Sequence, residues 1–167
     1  MSGPFTFTGE TTTGEAIMAA AAKGVRDVSF ELGGKNPALV FADCDMDKAI
    51  EGTLRSAFVN CGQVCLSTER VYVARPIFYE FTTRLKEGAE ALTPGPPEDA
   101  ATKLGPLISK EHRAKVLSYY ARAREEGAEV VTGGGVPDMP DALAEGCWIE
   151  PTIWTGLGDD SAVNREE

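Results

Sequence analysis

Short apolar runs rich in β-branched residues alternate with longer helical patterns along most of this chain. Because two parallel strands must be joined by a crossover, which is usually a helix, such alternation favours a mostly parallel sheet with flanking helices. The sequence therefore predicts an α/β fold. The predicted strands are 5–8, 28–32, 38–42, 71–74 and 130–131.

Several helix starts are marked by residue types that cap helices. Thr12 with Glu15 fits a capping box, and Asp45 and Ser109 each precede a helical pattern. Beyond Pro76, apolar residues recur at steps of three and four and predict an amphipathic helix that packs on the core.

Proline and glycine punctuate the second half of the chain. The segment 93–106 is dense in proline, glycine and acidic residues, so we expect a surface loop there. Apolar and polar residues alternate from Trp148 to Trp154, which predicts a strand, and Pro151 indicates an edge position or a bulge.

The composition excludes several kinds of partner. The chain is 43% hydrophobic and 25% charged, with a formal net charge of −10. Acidity of this size argues against nucleic-acid binding. No apolar run approaches the ~20 residues of a membrane span, and no basic amphipathic segment indicates binding to a membrane surface. We expect a soluble cytoplasmic protein with neither a nucleic-acid nor a membrane partner.

Cysteine and histidine usage excludes a metal centre. The 4 cysteines, at positions 44, 61, 65 and 147, form no C-x-x-C pair, and the 1 histidine is His112. This spacing predicts no metal site and no disulfide scaffold. Cys61, four residues before Cys65, is either a disulfide partner under oxidation or a small packed residue, and packing is the commoner role.

Cys65 and Glu31 are the candidate chemical groups. A free thiol has a pKa of about 8.5 and needs a base, a positive charge or a backbone dipole to become a good nucleophile. Glu31 is a candidate base, Gly62 and Gln63 precede the thiol, and the turn's N–H groups are candidate donors to an oxyanion. Taken alone, a cysteine is more often a small buried residue, and Glu31 a solvated strand-end carboxylate.

The two segments together resemble a known signature. E-L-G-G-K-N-P begins at Glu31, F-x-N-x-G-Q-x-C ends at Cys65, and Arg70 follows. This order resembles the NAD(P)-dependent aldehyde dehydrogenase superfamily, over its middle third, from Phe7 to Glu167. The surrounding sequence is most similar to the muconic semialdehyde dehydrogenases of bacterial aromatic ring-cleavage pathways.

The resemblance implies roles for individual residues. Cys65 matches the family's nucleophile and Glu31 its general base. Leu32 and Gly33 match backbone positions beside the nicotinamide, and Glu167 matches a residue that holds a cofactor ribose. The implied reaction oxidises a semialdehyde of the 2-hydroxymuconic or 2-aminomuconic type to its carboxylic acid, with NAD as cofactor.

A turn near the start of the chain is a candidate site for the cofactor's pyrophosphate. Gly9 lies between a predicted strand and a predicted helix, where backbone N–H groups favour a phosphate. A simple tight turn is the alternative. We expect Gly9 and Glu10 to contact the cofactor, although the carboxylate of Glu10 must turn away from a phosphate or bind a ribose.

The resemblance also implies a domain organisation. Residues 1–34 match the end of the cofactor-binding domain, and residues 35–167 match the thiol-bearing catalytic domain, incomplete at its C-terminus. Family members form homo-oligomers. Two alternatives stay open: a non-catalytic fragment or interaction module that is inactive in isolation, and a thiol hydrolase that pairs Cys65 with His112.

Overall fold

A computed structural model describes residues 3–166, which fall into two compact units, one ending at Gly34 and the other running from Lys35 to Glu166. In chain order the elements are β1 (Phe5–Gly9), α1 (Thr11–Ala22), β2 (Val28–Leu32), β3 (Asn36–Val40), α2 (Met46–Phe58), a 3₁₀ helix (Val59–Gly62), β4 (Thr68–Val73), a 3₁₀ helix (Arg75–Ile77), α3 (Phe78–Glu90), α4 (Lys110–Glu125), β5 (Glu129–Thr132), a 3₁₀ helix (Asp141–Leu143), β6 (Ile153–Thr155) and α5 (Ala162–Arg165).

The first unit is a strand–helix–strand crossover. Strands β1 and β2 pair in parallel, from Phe5 opposite Val28 to Gly9 opposite Leu32. Helix α1 packs closely on them at the buried Gly14, where an added Cβ would lie 3.0 Å from a methyl carbon of Leu32. A larger residue at position 14 would therefore force the Leu32 side chain or the helix to shift.

The predicted capping box at Thr12 is wrong. Helix α1 begins at Thr11, its N-cap residue is Glu10, and no side chain caps it. Thr12 already lies inside the first turn, where its hydroxyl is no longer placed to accept from the backbone two or three residues on.

The second unit repeats the crossover and adds an antiparallel pair. Strands β3 and β4 are parallel and are joined through α2, whereas β5 and β6 are antiparallel. The core beside β3 is formed by buried Val40, Ile50 of α2, and Phe81 and Leu85 of α3. The predicted α/β class is confirmed, with the strands arranged as separate pairs.

The other predicted helix caps are confirmed. The Asp45 carboxylate accepts from the Lys48 N–H at 3.2 Å, and the Ser109 hydroxyl accepts from the His112 N–H at 3.0 Å. Each side chain therefore satisfies one of the N–H groups that a helix N-terminus leaves without an intrahelical partner.

The strand predicted over Trp148 to Trp154 is too long. Strand β6 contains only Ile153–Thr155, and Trp148 lies outside it with 4% of its surface exposed. The indole Nε1 of Trp148 donates to the Leu143 carbonyl at 2.6 Å. Its alternating pattern thus reflects a buried aromatic anchor in a loop rather than a pleated strand.

The segment predicted as a surface loop is partly buried. Within it, Gly95 is buried and Leu104 is 5% exposed, and Leu107, directly after the segment, is 4% exposed. Pro94 and Leu104 form an isolated parallel bridge, and the Leu107 N–H donates to the Cys147 carbonyl at 2.9 Å. These contacts hold the end of the loop against the rest of the second unit. The proline and glycine content of the loop did not predict this packing.

We expect Phe81→Ala to lower the free energy of unfolding by about 3–5 kcal/mol, because it removes a ring that is 1% exposed and leaves a cavity in the core. Tyr79→Ala, on the same helix at 84% exposure, is the matched control and should change the free energy by less than about 0.5 kcal/mol. Urea unfolding measures both, and equal losses would contradict this description of the core.

Candidate active site

Cys65 lies in the connection between α2 and β4. We call residues 59–67 the cysteine turn. Cys65 is exposed, and the Ser67 N–H donates to the Val64 carbonyl at 2.8 Å, closing a tight turn around the thiol-bearing residue. Because β4 runs parallel to β3, the turn lies at the amino end of this strand pair.

The Asn36 side chain holds the cysteine turn from the neighbouring strand. Its Nδ2 group donates to the Cys65 carbonyl at 2.7 Å and to the Ser67 carbonyl at 3.0 Å. Asn36 is the first residue of β3 and pairs with Thr68, so its amide lies within reach of both carbonyls. The sequence does not predict this contact, because nothing in the local pattern marks an asparagine at a strand start as a partner of a residue far along the chain.

The first half of the cysteine turn has left-handed backbone conformations. Asn60, Cys61 and Gly62 have φ angles of 51°, 57° and 74°. Glycine adopts this region freely and asparagine tolerates it, whereas cysteine does so at an energetic cost. The Cys61 thiol donates to the Gly105 carbonyl at 3.0 Å, which offsets part of that cost.

Gln63 is engaged within the protein rather than free to bind an oxyanion. Its Nε2 group donates to the Asn60 carbonyl at 3.2 Å, and its Oε1 atom accepts from the Ile108 N–H at 3.2 Å. The side-chain amide therefore ties the cysteine turn to the segment that follows Leu107.

Cys61 is a free, half-buried thiol. Burial raises the pKa of Cys61 above its ordinary value. The thiol is thus mostly protonated near neutral pH, which suits its role as a donor. These features support the packing interpretation of Cys61.

The first unit brings several predicted cofactor residues to one edge. Gly9 and Leu32 are register partners at the carboxyl ends of β1 and β2, and Gly33 follows directly. Glu31 is exposed and lies opposite Thr8, one residue before the end of β2, rather than at a chain reversal. The carboxyl ends of parallel strands are where α/β folds usually bind ligands.

The start of α1 lies directly after Gly9. Glu10 is the N-cap residue, and the first backbone bond of the helix runs from the Gly14 N–H to the Glu10 carbonyl at 3.1 Å. The N–H groups of the first turn have no partner inside the helix, which is the arrangement that favours an anion. Glu167, the other predicted cofactor residue, lies outside the described residues.

Other kinds of site find no support in residues 3–166. No group of three or more histidine, cysteine or acidic residues in this range is placed to hold a metal ion. None of the helices in the same range is long and apolar enough to cross a membrane. His112 lies in α4, and no hydrogen bond links it to the Cys65 thiol.

The sequence profile of the Aldehyde dehydrogenase family matches residues 4–167. The chain belongs to the aldehyde dehydrogenase family. It is 71% identical over 163 residues to 2-hydroxymuconic semialdehyde dehydrogenase of Pseudomonas putida, covering 98% of this chain and 34% of the relative. It is 56% identical over 162 residues to 2-aminomuconic 6-semialdehyde dehydrogenase of Pseudomonas sp, covering 97% of this chain and 33% of the relative.

Solved aldehyde dehydrogenases share the fold. Betaine aldehyde dehydrogenase of Staphylococcus aureus, crystallised with NAD⁺, superposes with a TM-score of 0.94 at 38% identity, over 97% of this chain and 32% of that one. Another crystal of this enzyme contains NAD⁺ and a BME-modified cysteine. The chain therefore spans about a third of the length of the aldehyde dehydrogenases that it matches.

We expect Asn36→Asp to loosen the cysteine turn, because a carboxylate of the same shape cannot donate to the Cys65 and Ser67 carbonyls. The free energy of unfolding should fall by about 1–3 kcal/mol, and amide exchange across 64–68 should accelerate. Asn164→Asp is the matched control, since Asn164, in the short helix α5, also donates its amide to a backbone carbonyl, that of Gly158 at 2.9 Å. Unfolding in urea and hydrogen exchange measure the two effects; equal responses from both variants would rule out a special role for Asn36.

We expect alkylation of Cys61 to need a higher pH than that of a free cysteine. Since burial raises its pKa, less thiolate is present at any given pH, and the midpoint of its rate profile should lie above about 8.5. Unfolding in urea removes the burial and should lower the midpoint. Peptide mapping after limiting iodoacetamide checks this, and a midpoint that urea does not change would show that the fold does not perturb the thiol.

Proposed function

We propose that this chain is the thiol-bearing part of an NAD-dependent dehydrogenase that oxidises a semialdehyde of the 2-hydroxymuconic or 2-aminomuconic type to its carboxylic acid. The observation that carries the proposal is an exposed Cys65 in a turn whose carbonyl groups are held by Asn36. Identities of 71% and 56% to enzymes named for these two substrates support the substrate class.

Cys65 acts as the nucleophile in this proposal. Its sulfur forms a bond to the aldehyde carbon, the carbonyl oxygen becomes an oxyanion, and the thiol proton passes to Glu31. Loss of a hydride from the resulting thiohemiacetal leaves a thioester on Cys65. Glu31 releases that proton to solvent and then takes a proton from water, which attacks the thioester. The carbon–sulfur bond breaks, the carboxylic acid leaves, and the Cys65 thiolate is regenerated.

NAD supplies the hydride acceptor when it is bound. The residues of the first unit fit the phosphates of such a cofactor because α1 begins directly after Gly9, and the N–H groups of its first turn have no partner inside the helix. We propose that Gly9 and Glu10 face the phosphate and ribose portion. Leu32 and Gly33 would present backbone groups to the nicotinamide, and Glu167 would bind a ribose.

The wider organisation follows from the same proposal. We propose that residues 1–34 end a cofactor-binding domain and that residues 35–167 belong to the catalytic domain. A cytoplasmic location, a homo-oligomeric assembly and a role in the breakdown of aromatic compounds stay predictions. Each of these predictions concerns a whole protein, whereas this chain spans about a third of the length of its relatives.

One structural feature favours the alternative of an interaction module that is inactive in isolation. Several large apolar residues of the second unit are exposed, among them Leu39 at 65%, Phe41 at 66% and Ile108 at 85%. Contiguous apolar surface marks contact regions, and Leu39 and Phe41 lie two residues apart at the end of β3. A flat NAD titration together with a concentration-dependent size in gel filtration would support the module over the dehydrogenase.

We expect Glu31→Gln to lower steady-state NADH formation with 2-hydroxymuconic semialdehyde by about 10²–10⁴-fold, because the amide cannot accept a proton from water. The thioester should accumulate on Cys65 and be visible by intact mass. Glu15→Gln, a carboxylate on the exposed face of α1, is the control and should retain the activity. Thioester hydrolysis at an unchanged rate in Glu31→Gln would remove Glu31 from the mechanism.

A further inference from the structure

A groove of about 260 Å³ lies between the last turns of α2 and the cysteine turn. Its walls include the apolar side chains of Val59, Val64 and Leu66, and Arg55 and Ser67 also line it. Val64 and Leu66 are the neighbours of Cys65 on either side along the chain. The groove therefore flanks the residue that carries the proposed nucleophile.

Arg55 brings an exposed guanidinium group to this groove. Within residues 3–166 its guanidinium group makes no hydrogen bond and no ion pair, and Glu51, one helical turn earlier, is not its partner. The chain has 26 acidic and 16 basic residues, so an unpaired arginine beside an apolar wall is not explained by a shortage of carboxylates. Guanidinium groups match carboxylates in geometry and charge.

Ser67 adds a second unsatisfied polar group to the same wall. It is 2% exposed, and its hydroxyl has no hydrogen-bond partner among residues 3–166. Buried hydroxyls are normally satisfied, so an orphan on the wall of a groove indicates a place for an oxygen or nitrogen atom of a ligand or a water molecule.

We propose that this groove receives the carbon chain and the distant carboxylate of the substrate, with Arg55 as the group that binds the carboxylate. The inference rests on the proposed function, since a semialdehyde of a dicarboxylic acid has an aldehyde at one end and a carboxylate at the other. Its conjugated chain suits the walls formed by Val59, Val64 and Leu66. Arg55 thereby selects acid-bearing aldehydes over neutral ones.

A structural role for Arg55 makes a different prediction. Arg55 lies in the last turn of α2, where a cation stabilises the helix dipole. If Arg55 only stabilises the helix dipole, a lysine at this position would serve equally well. Replacing Arg55 would then leave the affinity for a carboxylate ligand unchanged. Carboxylate binding instead depends on a charge and fork geometry that glutamine lacks entirely and lysine reproduces only in part.

The test is calorimetric titration of the whole chain with trans,trans-muconate, a six-carbon dicarboxylate, and with its neutral diamide. We expect muconate to bind more tightly than the diamide, and Arg55→Gln to weaken muconate binding by at least about tenfold, with Arg55→Lys intermediate. Arg75→Gln is the matched control, an exposed arginine that makes no ion pair within residues 3–166, and should change affinity by less than about twofold.

Equal muconate affinity in Arg55→Gln and the parent chain, or no muconate binding by the parent chain, would overturn the inference. Urea unfolding of each variant shows whether the fold is kept. Protection of Cys65 from iodoacetamide by muconate separates this inference from the proposed function. If Cys65 reacts no faster than Cys44 and Cys147, the proposed chemistry fails, while calorimetry still decides the role of Arg55.

Discussion

The parallel pairing of β3 with β4 determines where this chain places its thiol. A parallel pair needs a crossover, here through α2, and that crossover must return to the amino end of the sheet. Cys65 therefore lies at the strand starts, whereas α/β folds usually bind ligands at strand ends. The same pairing brings Asn36 beside Thr68, so its amide reaches the Cys65 carbonyl at 2.7 Å. The conformation of the cysteine turn is thus held by the Asn36 side chain.

The shape of the cysteine turn depends on contacts that offset its backbone strain. Left-handed conformations cost a non-glycine residue about 1–3 kcal/mol, and Asn60 and Cys61 both adopt them. The Asn60 amide donates to the Gln63 carbonyl at 3.2 Å, and the Cys61 thiol reaches the Gly105 carbonyl. Gly105 is held in place in turn because its neighbour Leu104 is buried. A loop rich in proline and glycine therefore acts as a fixed support for the turn.

Local signals predicted the elements, whereas long-range contacts determined the surroundings of the site. The caps at Asp45 and Ser109 and the bounds of β2 could be predicted because each depends on a few adjacent residues. The role of Asn36 could not, since its partners lie 29 and 31 residues away. Trp148 misled the strand prediction because burial in a loop and burial in a strand leave the same alternating pattern.

In the proposed groove beside Cys65, local charge would outweigh the net charge of the chain. A formal charge of −10 repels an anionic substrate at long range, but physiological salt screens such repulsion beyond about 8 Å. In the proposed complex, Arg55 and the substrate carboxylate would be in direct contact, well inside that screening length. Periodicity identifies Arg55 only as a polar position on α2. The proximity of Arg55 to Cys65 depends on tertiary contacts, which pack the cysteine turn against the last turns of α2.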